Sequence, residues 1–293
     1  MQVAADTAAV MVTHDGEGFL RRQCESILLG SVLPAVLIAV DDASQDGSRE
    51  ILMDVARSSP IPVELITVDS SAIRNGRSRI ARNVIMGLAA AEEYRFVVLS
   101  DQDDDWLPDR LARQRSLLLS DQTAMLIAGD GILIDQSGEE TGCLLSDSFP
   151  RPSDWDSLDA AGRVRAVLRA PFVTGAASAL TMTLARLMQP VPSGWLHDRW
   201  ATLVAVACNG LVLQDEAVIR YRIHPGQALG ERQVGMGRGQ RRWRQVLERG
   251  GGPLEAAGRA RDVIRRVGPL AGDPDVRREL SWRAVLASAF DRS

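Results

Sequence analysis

Short apolar runs alternate with helical patterns through the first part of the chain, and this constrains the fold more than any other feature. Strands are expected near 8–13, 36–40, 63–68 and 96–100, with helices near 17–29, 47–57, 78–91 and 108–119. An order of that kind builds βαβ units around a mainly parallel sheet. Phe19, Leu20, Cys24, Ile27 and Leu28 share one helical face, whereas Val36 to Val40 is apolar throughout, as a strand covered on both sides must be. Further strands are expected near 124–128 and 131–134. A polar stretch from Gln136 to Asp159 follows, and Val173-Thr174-Gly175 then enters another apolar segment. A helix from Asp198 to Cys208 and strands near 211–214 and 217–221 complete a main α/β domain over 1–229. From Gly230 the chain turns Gly- and Arg-rich, with helical spacing at 240–249, 254–267 and 275–290, which reads as a helical C-terminal region over 230–293.

At 293 residues, 45% hydrophobic and 25% charged, the chain has the size and composition of a globular protein with an ample core. A net charge of -4 offers no general attraction to phosphate backbones, so nucleic acid is not an expected partner. All 34 basic residues are arginine, which removes lysine-based mechanisms such as Schiff bases and P-loop phosphate binding. Cys24, Cys143 and Cys208 are far apart and read as reduced thiols. The longest apolar stretch, Ala201 to Cys208, falls well short of the roughly 20 residues of a membrane span, so no transmembrane segment is expected. These readings point to the cytoplasm. Arg238, Arg241, Arg242, Arg244 and Trp243 suit a solvated helix face or a homo-oligomer contact through the C-terminal helices. A peripheral contact with the inner face of a membrane is the weaker alternative.

The chemistry concentrates at strand ends. Val97-Val98-Leu99-Ser100 runs into Asp101-Gln102-Asp103-Asp104-Asp105-Trp106. Packed carboxylates repel one another, and a divalent cation such as Mg²⁺ or Mn²⁺ would neutralise them while bridging to a substrate's phosphates. A solvated acidic turn before the helix starting near Pro108-Asp109 is the plain alternative. Asp41-Asp42 ends a second strand, where a carboxylate can accept from a nucleoside, although Ser44, Asp46 and Gly47 also make an ordinary turn into a helix. Asn75-Gly76 and Ala81-Arg82-Asn83 could supply donors to a diphosphate or form a surface helix face. Trp195-Leu196-His197-Asp198-Arg199-Trp200 could stack a sugar beside a base or form a partly buried amphipathic turn. Tyr221-Arg222-Ile223-His224-Pro225-Gly226-Gln227 closes a strand. The only histidines, His14, His197 and His224, all fall beside strand ends.

In this order the motifs resemble those of the family-2 inverting glycosyltransferases of GT-A fold, especially bacterial rhamnosyltransferase-like members, over about residues 8 to 230. Val12-Thr13-His14-Asp15 stands where that family has a Thr-Tyr-Asn opening. Ser100-Asp101-Gln102-Asp103-Asp104 with Trp106-Leu107-Pro108-Asp109 is similar to its metal motif, and Trp195-Leu196-His197-Asp198 to its base segment. Three positions depart from the pattern: His14-Asp15 for Tyr-Asn, Asp105 for an apolar residue, and Gln227 for asparagine.

The resemblance implies a nucleoside diphosphate-sugar donor (dTDP-, UDP- or GDP-linked), Mg²⁺ or Mn²⁺, and a hydroxyl acceptor in a glycan, a lipid-linked sugar or a small molecule. It implies that Asp198 is the catalytic base and that Asp101, Asp103 and His224 hold the metal. Thr13, Asp15, Asp41, Asp42 and Asn75 would face the donor, as would Arg82, Asp101, Trp195 and Arg222. Two alternatives from other classes fit less well. A nucleotidyltransferase or phosphotransferase would show a Gly-rich basic loop after the first strand, and a non-catalytic sugar-nucleotide binder has no use for Asp198.

Overall fold

The computed structural model describes residues 2–225 and 253–285. Its first half follows the expected alternation: β1 (Gln2–Thr13), α1 (Glu17–Leu28), β2 (Val32–Asp42), α2 (Ser48–Ser58), β3 (Val63–Val68), α3 (Gly76–Ala90) and β4 (Phe96–Ser100). These strands pair in parallel in the order β3-β2-β1-β4. Parallel pairing brings the carboxyl ends Thr13, Asp42, Val68 and Ser100 to one edge, where open α/β sheets bind ligands.

Beyond β4 the sheet becomes mixed. The remaining elements are β5 (Asp105–Trp106), α4 (Arg110–Ser120), β6 (Leu126–Ile134), β7 (Glu140–Leu144), α5 (Leu145–Ser148), α6 (Ala160–Arg169), β8 (Ser178–Thr181), α7 (Met182–Leu187), α8 (His197–Ala207) and β9 (Leu211–Arg222). Strand β8 lies antiparallel between β4 and β6, β9 runs parallel to β6, and β5 closes antiparallel on β9. The runs near 124–128 and 131–134 are one strand whose register shifts around Asp130 against β9. The two runs expected near 211–214 and 217–221 likewise join as β9. Helix α6 follows the polar stretch unannounced by it, capped by Asp159, whose carboxylate accepts the Gly162 amide at 2.6 Å.

Successive residues of β1 and β2 alternate between two cores. Val10 and Ile38 pack on the face covered by α3 and α8, and Met11 and Leu37 on the face covered by α1, α2 and α4. Helix α3 rides close to the sheet because Gly87 has no side chain: a Cβ there would stand 2.4 Å from Val10 Cγ1. Helix α8 is anchored by Trp200, 1% exposed, whose indole N–H donates to the Met188 carbonyl at 2.8 Å.

The described part of the C-terminal region comprises α9 (Pro253–Asp262), a π turn (Val263–Val267) and α10 (Pro274–Glu279). Val263, Val267, Val276 and Leu280 enter the same core as Val164 and Trp200, and Arg165 pairs with Glu279 at 2.7 Å. The helix expected at 240–249 and its arginines lie outside the described residues. No helix among the described residues is long and apolar enough to cross a membrane.

Candidate active site

The acidic loop after β4 is fastened to the end of β1 by Gln102. Its side-chain oxygen accepts from the Thr13 hydroxyl at 2.6 Å and the His14 amide at 2.8 Å, and its amide nitrogen donates to the His14 carbonyl at 3.2 Å. Gly16 makes room for this clamp, since a Cβ there would lie 2.4 Å from Gln102 Oε1. With Gln102 turned inward, Asp101, Asp103 and Asp104 gather ligand oxygens within 4.8 Å of one another. His224 Nε2 sits 2.9 Å from Asp103 Oδ2, and its ring packs on Phe19.

These carboxylates are held in a state that calls for a cation. Burial, then the Asp103 and Asp198 charges, push Asp101 up to about 7. Asp104 is 2% exposed. Burial together with Asp103 and Asp101 raises it well above the usual carboxylate range. One Asp104 oxygen accepts the Arg222 amide at 2.9 Å, while the other is buried with no partner. A buried orphan oxygen beside two further carboxylates is a hard oxygen-donor set that suits Mg²⁺ or Mn²⁺, and an imidazole stands next to it. Asp104 was not singled out as a ligand by the sequence reading, and its burial is what reveals it.

Arg222 has a different task from the donor contact expected of it. It is 1% exposed and spends its donors on the protein: Nε on the Asp103 carbonyl at 2.9 Å, Nη1 on the Asp135 and Gln136 carbonyls, and Nη2 on Asp105 at 3.2 Å. Asp105 also pairs with Arg22 at 2.8 Å, which explains an acid where an apolar residue is usual. The guanidinium therefore braces the acidic loop.

Asp42 is also a brace. It is 2% exposed, and its oxygens accept the Ser70 amide at 2.8 Å, Arg79 Nε at 2.6 Å and Asn83 at 2.7 Å. Burial opposes its ionisation, and those hydrogen bonds outweigh burial, so its pKa is lowered. Asp41, 1% exposed, accepts the Ser44 hydroxyl. Ala43, in the left-handed region at φ 52°, turns the chain back at a cost of about 1 kcal/mol.

Asn75 caps α3 by accepting the Ser78 amide at 3.1 Å, and Arg82 donates to Ser70 at 2.6 Å. Trp195 is a correction to the expected stacking wall. It is 6% exposed and packs edge-on against Trp200 at 5.3 Å, because α8 needs that indole in its core. The open rim instead carries His14 and Asp15, their side chains 45% and 47% exposed, with Arg79 beside His14 at 3.4 Å. Asp15, at φ 48°, accepts the Gln45 amide at 2.7 Å. Arg79 was missed because nothing in the local pattern separates it from Arg77, and only Arg82 stands in the motif that drew attention.

Asp198 lies in the first turn of α8, where backbone amides lack helical partners. Its Oδ2 accepts the Gly175 amide at 3.1 Å and its Oδ1 the Arg199 amide at 2.6 Å. With Gly175 and Leu99, two residues before Asp101, it lines one small cavity.

Residues 8–131 match Glycosyl transferase family 2. That stretch includes Thr13 through Asp104 but neither Asp198 nor His224. No curated protein matches the sequence. Among solved structures the chain is similar to S. aureus TarS 1–349 in complex with UDP-GlcNAc, at 14% identity and TM-score 0.59, covering 100% of this chain and 74% of that one. It is similar to the mannosyltransferase PcManGT from Pyrobaculum calidifontis in complex with GDP-Man and Mn²⁺, at 16% identity and TM-score 0.55, covering 97% and 72%. A third likeness is glucosyl-3-phosphoglycerate synthase from Mycobacterium tuberculosis with Mn²⁺, UDP and phosphoglyceric acid, at 17% identity and TM-score 0.50, covering 75% and 71%. At such identities the likeness is one of fold, and the fold is GT-A.

Proposed function

We propose that the chain is a metal-dependent, inverting glycosyltransferase that moves rhamnose or another hexose from a nucleoside diphosphate-sugar to a hydroxyl acceptor in glycan or natural-product biosynthesis. The observation that carries this reading is the acidic cluster with a buried orphan oxygen on Asp104, in a chain that also holds a helix-start carboxylate, Asp198. The match of residues 8–131 to a glycosyltransferase family supports it, as do Mn²⁺ and GDP-Man in PcManGT and UDP-GlcNAc in TarS.

Asp101, Asp103 and Asp104, with His224, would hold Mg²⁺ or Mn²⁺, which when bound neutralises the diphosphate as it leaves. Asp198, held by the Gly175 and Arg199 amides, takes the proton of the acceptor hydroxyl while that oxygen attacks the anomeric carbon opposite the departing diphosphate. The bond to the nucleoside diphosphate breaks as the new glycosidic bond forms, which inverts the centre. The exposed His14, Asp15 and Arg82, with half-buried Arg79, form the rim that borders the donor. Work in the cytoplasm, on a main domain at 1–229 with a helical region at 230–293, belongs to the same reading.

The test is thermal-shift binding of UDP, dTDP and GDP with Mn²⁺ and with EDTA, alongside turnover of the corresponding hexose donors. Asp103→Asn should abolish the Mn²⁺-dependent gain, and Asp198→Asn should keep donor affinity while kcat falls by about 10²–10⁴. Turnover undiminished in EDTA would overturn the metal assignment.

A further inference from the structure

The Val173-Thr174-Gly175 segment leads into a one-turn 3₁₀ helix, Gly175–Ala177, that faces the start of α8. Among the described residues, the Gly175 amide gives the carboxylate of Asp198 its only hydrogen bond from outside α8. Gly175 is needed for space: a Cβ on it would lie 2.5 Å from His197 Nε2 and 3.5 Å from Asp198 Cβ.

The ring it would strike is packed in the core. His197 is 6% exposed, its Nδ1 has no partner, and burial lowers its pKa, so the ring is neutral. Leu99, Leu126, Leu180 and Met188 wall in the cavity beside it, about 10 Å³, room for roughly one water. An added methyl must therefore displace the turn or the imidazole, and both bear on the start of α8.

The turn itself is tied to the strand that carries the metal ligands. Gln114 Nε2 donates to the Ala177 carbonyl at 2.8 Å. Arg110 Nη2 donates to the Ser178 carbonyl at 3.4 Å and to the Leu99 carbonyl at 2.8 Å, two residues before Asp101. Both side chains come from α4 and are at most 1% exposed. A buried polar pair of this kind has two discrete states, made or broken, and when made it fixes the distance between the elements it joins.

We infer that Gly175 is the positioning residue for Asp198, and that Arg110 and Gln114 set its turn at a fixed distance from Asp101. This rests on Asp198 being the base. It assigns a chemical consequence to a glycine and to two core side chains that touch no substrate.

The experiment measures nucleotide release in Mn²⁺ from whichever UDP-, dTDP- or GDP-hexose the wild type turns over fastest, together with Mn²⁺-dependent affinity for the free nucleotide. Gly175→Ala should lower kcat by about 10–100-fold, the scale of a misplaced catalytic group, with donor KM and nucleotide affinity within about twofold of wild type. Adding His197→Ala, which removes the atom that clashes, should restore most of the lost rate. Gln114→Met, which frees the Ala177 carbonyl, should lower kcat about tenfold in the same selective way, and it decides the matter if Gly175→Ala does not fold. A folded Gly175→Ala protein with unchanged kcat would overturn the inference, as would a folded double variant no faster than the single. Asp198→Asn separates the two readings: if it turns over normally the base assignment fails, and if it is slow while Gly175→Ala is not, only the present inference fails.

Discussion

Replacing Asp101 by asparagine should stabilise the metal-free protein at neutral and alkaline pH and remove most of the stabilisation that Mn²⁺ provides. Asp101 is pushed up to about 7, from 3.8 ordinarily, by loss of solvent around its half-buried carboxyl and then by the charges of Asp103 and Asp198. The folded state thus binds a proton that the unfolded chain has released between those two values. Stability then falls as pH rises from about 4 to about 7 and stays reduced above it. A shift of that size corresponds to about 4 kcal/mol at pH 8. Asparagine keeps the shape and cannot ionise, so the variant escapes the penalty. The assay is urea unfolding followed by tryptophan fluorescence, at pH 5 and pH 8, with EDTA and with Mn²⁺. In EDTA the variant should exceed wild type at pH 8, and the gap should nearly close at pH 5. With Mn²⁺ the order should reverse at pH 8, since the cation neutralises carboxylates that the variant lacks in part. Parallel profiles for the two proteins across this range in EDTA, or equal Mn²⁺ stabilisation of both, would refute the reasoning.

Other perturbations follow from the same contacts. Arg222→Met leaves Asp105 and three carbonyls without their buried donor and should cost about 3–5 kcal/mol in urea unfolding, together with weaker Mn²⁺ binding from a loosened loop. Gly16→Ala places a Cβ 2.4 Å from Gln102 Oε1, so calorimetry should find weaker Mn²⁺ binding as the clamp on Thr13 and His14 opens. Arg79→Met removes the cation that holds Asp42 ionised. The stability Asp42 contributes is present above its ordinary range near 3.9 and is lost as pH falls through its lowered value. The destabilisation by Arg79→Met should therefore be largest at neutral pH and shrink in acid, as unfolding at pH 7 and pH 3 would reveal.

Local pattern alone identified the parallel half of the sheet, because strand and helix periods and turn residues are written within a few residues of one another. It also placed Asp101, Asp103, Asp198 and His224 at element ends, and those ends fall on one edge of the sheet. Burial and long-range partnership, in contrast, are properties of the packed molecule. Asp105 and Arg222 are 117 positions apart, and Arg110 and Ser178 are 68 apart, so no window along the chain pairs them. Arg222 looked like a ligand contact and is a brace, whereas Trp195 looked like a stacking surface and is core, because the helix it precedes buries one side. Asp104 could not be told from its acidic neighbours until the fold left one of its oxygens unpartnered. Gly175 carried no signal at all, since its meaning is the space that His197 needs. The identities of the charged groups were local information; which of them meet water, one another or a cation was decided by how the sheet edge closed over them.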